Sequence, residues 1–93
     1  MIKVNQYYDG NIKSLGSARS GQAFTVGIIE PGEYTIPTTT EEHVSIMLGN
    51  CRVKITGKDW MDVKEEDNFI VPAGSEISFD VKETVAYLCL YRK

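Results

Sequence analysis

An all-β fold, a sandwich or a barrel, is what this 93-residue sequence predicts. Three observations carry that expectation. Gly and Pro punctuate the chain at intervals of about eight to twelve residues, the rhythm of short strands joined by turns. Between them run segments that alternate apolar and polar residues, as half-buried strands require. No stretch sustains a helical period.

Strands are expected over residues 2–7, 22–29, 33–37, 43–48, 51–56, 60–64, 68–71, 76–81 and 84–91. Residues 14–21, small, polar and Gly-bearing, read as a loop with Arg19 as its charge. Pro31-Gly32 fits a type II turn, with Gly taking the positive φ. Gly49-Asn50 joins two alternating runs and reads as a hairpin turn. Alternation then assigns faces. Val44, Ile46 and Leu48 share one side of their strand, and His43, Ser45 and Met47 take the other. Cys51, Val53 and Ile55 oppose Arg52, Lys54 and Thr56, and Ile77, Phe79 and Val81 oppose Glu76, Ser78 and Asp80. The last strand is apolar on both sides, with Val85, Tyr87, Cys89 and Tyr91 on one and Ala86, Leu88 and Leu90 on the other. Burial on both sides is expected for it, the second face covering a partner subunit.

A chain this short makes one domain, residues 1–93, with a thin core, so a homodimer is a natural way to cover residual apolar surface. The formal net charge of −3 argues against a nucleic-acid binder, which needs a basic excess. No apolar run is long enough to span a membrane, so no membrane association is expected. The start, Met1-Ile2-Lys3-Val4-Asn5, lacks a secretory apolar region, which makes the cytoplasm the default expectation. The two cysteines, Cys51 and Cys89, then read as buried free thiols.

Two segments keep the spacing of a metal-binding β-barrel. Glu42 is followed after six residues by Gly49, and Pro72-Ala73-Gly74 closes a second segment that begins at Glu66. This pattern resembles the two motifs of the cupin family. The resemblance implies a single-domain cupin, a jelly-roll β-barrel. Its His-x-His pair would fall within residues 36–40, where only Ile, Pro and Thr stand, and Ile77 occupies the third His position. Glu66 stands where the second motif opens on Gly. Residues 36–40 and Ile77 therefore read as the lining of a pocket that holds no metal.

Further blocks run in order along nearly the whole chain. They are Tyr8-Asp9-Gly10 with Lys13-Ser14-Leu15-Gly16, Gly32-Glu33-Tyr34-Thr35, Glu41-Glu42, Trp60, Phe69-Ile70-Val71-Pro72, Ser75-Glu76 and Tyr87-Leu88-Cys89-Leu90-Tyr91. In these the chain resembles the small single-domain cupins known as pyrimidine/purine nucleoside phosphorylases. The resemblance implies a metal-independent split of purine and pyrimidine nucleosides by inorganic phosphate, giving free base and pentose 1-phosphate. It implies no cofactor beyond phosphate as co-substrate.

That chemistry sets three tasks. Phosphate needs cations or N–H donors, for which Arg19 and Arg52 are candidates, each also readable as a surface arginine. The sugar hydroxyls need partners. Glu42 shares its face with Val44 and Ile46, and a buried carboxylate needs a partner, either the sugar or a backbone group at the barrel mouth. Glu33, after a turn, is the second carboxylate. The base needs a platform that tolerates both ring types, for which Tyr34, Trp60, Tyr87 and Tyr91 are available, or else serve the core or an interface. His43 could act as an acid near neutrality but faces away from Glu42. Two other readings stand beside phosphorolysis: a barrel that binds a small molecule without turnover, and a metal-dependent cupin dioxygenase or isomerase, for which donors are few.

Overall fold

The structure, a computed structural model, describes residues 1–92. Among these residues ten strands form: β1 (Lys3–Tyr7), β2 (Ile12–Arg19), β3 (Gln22–Ile29), β4 (Gly32–Pro37), β5 (Glu41–Leu48), β6 (Cys51–Ile55), β7 (Met61–Val63), β8 (Asn68–Val71), β9 (Glu76–Val81) and β10 (Val85–Arg92). A 3-10 turn, Tyr8–Gly10, links β1 to β2. Six strands pair in the order β1-β2-β3-β10-β5-β8 and four in the order β4-β9-β6-β7. Every pairing is antiparallel. The sheets face each other, and the buried apolar residues lie between them. Among the described residues no helix is long and apolar enough to cross a membrane.

After β3 the chain moves repeatedly from sheet to sheet, so the tight connections are crossovers as well as hairpins. Gly49-Asn50 is one of these crossovers. β5 belongs to the six-stranded sheet and β6 to the four-stranded one, and the two do not pair. The hairpin expected there is absent because each strand finds its partners elsewhere. Pro31-Gly32 likewise carries the chain between sheets. Gly32 sits at φ +150, well beyond the value of about +80 in a type II turn. Glycine is needed there for space as well, since a Cβ would lie 2.5 Å from the Tyr34 hydroxyl oxygen.

Residues 14–21 are not a loop. β2 runs through Arg19, and only Ser20-Gly21 turns the chain, at φ +51 and +80. Two successive left-handed residues suit the twist of a two-residue hairpin. The strand expected over 60–64 shortens to Met61–Val63. Leu48, expected to point inward with Val44 and Ile46, is 62% exposed. The register explains this: Ala86 pairs with Leu48 but Tyr87 with Ile46, so β5 carries one extra residue, Met47. A bulge of this kind reverses the alternation beyond it. On β10, Val85 and Cys89 are buried, while Ala86, Leu88 and Leu90 on the outer face are half-buried.

Candidate functional site

The concave face of the six-stranded sheet is built from cross-strand rows. One row runs Asn5, Ser14, Gly27, Tyr87, Ile46. The next runs Lys3, Gly16, Thr25, Cys89, Val44, and Glu42 lies opposite Tyr91 one row further. Small residues on β2 and β3 stand beside the large tyrosines of β10. Gly27 is the clearest case, since a Cβ there would sit 2.6 Å from the Tyr87 ring. The ring therefore packs directly against the β3 backbone and lines the space between the sheets.

That space is a cavity of about 200 Å³ between the sheets. Its polar lining comes from Tyr7, Ser14, Thr39, Glu42, Tyr87 and Tyr91, with Cys89 beside them. Its apolar lining includes Ile36, Pro37, Ile77 and Phe79. The volume lies below the ~300 Å³ usual for drug-sized ligands. It suits a single ring of a small molecule, with the remainder at the mouth.

Among the described residues, Glu42 is the only charged side chain in this lining. Burial raises its pKa above the ordinary glutamate value, and the Cys89 thiol, which donates to Glu42 Oε1 at 3.5 Å, opposes this more weakly. Burial also pushes the Cys89 thiol and the Tyr87 phenol each up to about 12, and raises Tyr91. The thiol and both phenols are thus neutral donors at physiological pH, and Glu42 is the one carboxyl beside them. Tyr91 Oη and Thr25 Oγ1 are hydrogen-bonded at 3.0 Å, which fixes the ring at the rim. The arrangement can grip a polar, uncharged or cationic ring, with one carboxyl among hydroxyls.

Of the residues singled out from sequence, Glu42, Tyr87 and Tyr91 converge here, as do Ile36, Pro37, Thr39 and Ile77. Tyr34 lies outside this cavity. Its hydroxyl is 2.9 Å from the carbonyl oxygens of both Glu30 and Pro31, and its ring packs in the core. Glu33 is exposed on the outer side of the four-stranded sheet, opposite Asp80. Arg52 lies on that same side, 3.7 Å from Asp80 and 5.1 Å from the Trp60 ring, so both are committed to each other away from the cavity. Arg19 is exposed at the end of the β2–β3 hairpin. His43 faces outward and meets Glu41 at 3.2 Å. Both cysteines are buried free thiols.

Tyr7, Ser14 and Cys89 line the cavity without having been singled out for it. Ser14 was hidden by reading its segment as a loop. Tyr7 could have been found by extending the alternation Lys3, Asn5, Tyr7 along β1. Among the described residues no group of three or more His, Cys, Asp or Glu is arranged to hold a metal ion.

Comparison with known proteins bears on this cavity. A family model described as pyrimidine/purine nucleoside phosphorylase matches residues 2–91. A Serratia proteamaculans protein called pyrimidine/purine nucleoside phosphorylase is 40% identical over 93 residues, covering 98% of this chain and 97% of its own. A solved Vibrio parahaemolyticus structure, described as a protein of unknown function, superposes with a TM-score of 0.95 at 39% identity, covering 99% of each chain. The cupin domain of Schizosaccharomyces pombe Cnp3 superposes with a TM-score of 0.71 at 21% identity, over 88% of this chain and 61% of that one. The last likeness concerns the fold alone, and the fold is that of a cupin.

Proposed function

This chain belongs to the pyrimidine/purine nucleoside phosphorylase family, and we propose that it is itself a metal-independent nucleoside phosphorylase acting on purine and pyrimidine nucleosides. It is a pentosyltransferase in this reading, with inorganic phosphate as co-substrate and no other cofactor. The observation that carries the proposal is the family's match together with a cavity whose one carboxyl, Glu42, stands among neutral hydroxyls. A phosphate oxygen forms a bond to the anomeric carbon as the carbon–nitrogen bond breaks. The electron pair leaves with the base, which takes up the proton that the hydrogen phosphate gives up as its oxygen bonds to carbon. Positive charge develops on the sugar ring, and a carboxylate at short range in a water-poor cavity stabilises it.

In this reading Glu42 acts as a carboxylate toward the sugar. Tyr87 and Tyr91 supply hydroxyl donors and ring surface that a purine or a pyrimidine can share. Glu42→Gln then lowers kcat by about 100-fold, the order found when one transition-state partner is removed. The wild-type rate also falls on the acid side as Glu42 takes up its proton. The test is to incubate the purified protein with a panel of nucleosides, with and without phosphate, and to measure free base and pentose 1-phosphate. No phosphate-dependent release from any nucleoside would overturn the proposal. Nucleoside binding without turnover would favour a second reading, a small-molecule-binding cupin, which the absence of any cation from the cavity lining among the described residues makes worth separating. We also propose a homodimer formed through the outer face of the six-stranded sheet.

A further inference from the structure

The cavity leaves one reactant without a place. A phosphate dianion beside Glu42 would meet a carboxylate and no cation, because the lining holds none among the described residues. It needs a seat that adjoins the cavity and carries positive charge.

A groove next to the cavity meets this need. It shares Tyr7 and Tyr91 with the cavity and is lined further by Lys3, Asn5, Gly16, Ala18 and Thr25. The strand register puts Lys3 on the concave side: it pairs with Gly16, which pairs with Thr25, which pairs with Cys89. Gly16 and Ala18 leave the floor between Lys3 and Tyr91 almost without side chains, so a long lysine can lean across it. Lys3 forms no ion pair among the described residues. The other basic candidates are placed elsewhere. Arg52 is held by Asp80 on the far sheet, and Arg19 stands at a hairpin end outside both linings. Lys13, by alternation, points to the outer face with Leu15. Uncharged donors stand in the groove beside Lys3. Asn5 Nδ2 donates to Ser14 Oγ at 3.2 Å and has a second N–H to offer, and the Thr25 and Tyr91 hydroxyls lie 3.0 Å apart.

We propose that Lys3, with Asn5, Thr25 and Tyr91, forms the phosphate seat of this site, delivering phosphate across Gly16 to a sugar held against Glu42. The inference rests on the phosphorylase reading for its purpose but not for its measurement. β1 is also an edge strand, where a lysine serves simply to discourage edge-to-edge pairing. The test must separate these roles.

Binding of inorganic phosphate alone is measured by calorimetry, or by broadening of the phosphorus resonance, for wild type, Lys3→Ala and Lys3→Arg. Loss of one charge-assisted contact is expected to weaken phosphate binding by about 10-fold or more. Lys3→Arg retains it within a few-fold. In turnover, Lys3→Ala raises the KM for phosphate by the same factor and leaves the KM for nucleoside within about 2-fold. Phosphate binding that is equal in all three proteins overturns the seat, even if nucleosides turn over. Lys3-dependent phosphate binding with no nucleoside turned over supports the seat and overturns the phosphorylase reading instead. A purely edge-protecting lysine would change aggregation and leave phosphate binding unmoved, which also overturns the seat.

Discussion

Glu42 and Glu66 occupy positions that cost the fold something, and each cost predicts a measurement. Burial raises the Glu42 carboxyl above its ordinary value. The folded chain therefore keeps this proton at a pH where the unfolded chain has released it. Stability from the protonated group is complete below the ordinary glutamate pKa, near ~4.3, and is lost as pH rises through the raised folded value. Glutamine is neutral throughout. Glu42→Gln should match wild type near about pH 4 and exceed it near about pH 8. The margin should be about 0.5 kcal/mol or less, because solvent reaches a half-buried carboxyl. Urea unfolding at the two pH values checks this, and a margin that shrinks with rising pH contradicts it. Glu66 sits at φ +73 in the turn closed by the Asp67 N–H donating to the Lys64 carbonyl at 2.9 Å. A left-handed residue with a side chain costs about 1–2 kcal/mol, against about 0.5–1 kcal/mol for the greater freedom glycine has when unfolded. Glu66→Gly should raise the thermal midpoint by a few degrees, and a fall of that size would refute the account. The cupin-type spacing that puts glycine at this position thus has a backbone reason.

At the scale of elements, Thr38 ties together the two segments that the sequence pattern marked separately. Its buried hydroxyl donates to the Pro72 carbonyl at 2.7 Å and accepts the Ser75 N–H at 3.0 Å. The Thr38 N–H donates to the Ser75 carbonyl at 2.9 Å, and the Gly74 N–H donates to the Thr38 carbonyl at 3.0 Å. The end of β4 and the turn before β9 are one unit, and it stands next to Pro37 and Thr39 of the cavity. Thr38→Val keeps the shape and removes the hydroxyl, leaving Ser75 N–H unpaired at a cost of about 1–3 kcal/mol. Denaturant unfolding should show that loss, with Thr38→Ser close to wild type. Equal stability of all three would mean water replaces the hydroxyl. Strands with one apolar face, such as β6 and β9, were legible because their inward residues are large and apolar. β2 was not, because after Ile12 its inward residues are Ser14, Gly16 and Ala18. Those residues are small because they floor the cavity and its groove, so the sequence signal for a strand is weakest where the site is. Glu42 was legible because it rides on β5, whose Val44 and Ile46 mark the inward face. The bulge at Met47 was invisible for the opposite reason, since β5 alternates in sequence straight through it.

The molecule as a whole has two unlike outer faces. The outer side of the four-stranded sheet carries Glu33, Thr35, Arg52, Lys54, Ser78 and Asp80. The outer side of the six-stranded sheet carries Val4, Leu15, Val26 and Leu88 in one unbroken row across four strands, with Ile28 and Ile70 nearby. Leu15 is 52% exposed and Ile28 53%. Loose packing is not the cause, because the radius of gyration, 12.4 Å, is what a compact chain of this length should have. An apolar sheet face is complementary to its own copy, which is the requirement for a two-fold interface. The cavity and its groove lie on the opposite, concave side of the same sheet and stay open when the outer face is covered. Light scattering should give the mass of a dimer. The double variant Leu15→Lys, Val26→Lys places charges at the middle of the row and should give the mass of a monomer with an unchanged far-ultraviolet spectrum. Like charges facing each other across a two-fold axis, desolvated by the contact, cost more than the lost apolar area alone. A wild-type monomer at about 100 μM, a concentration at which even a weak dimer of Kd ~10 μM is mostly assembled, would refute the assignment.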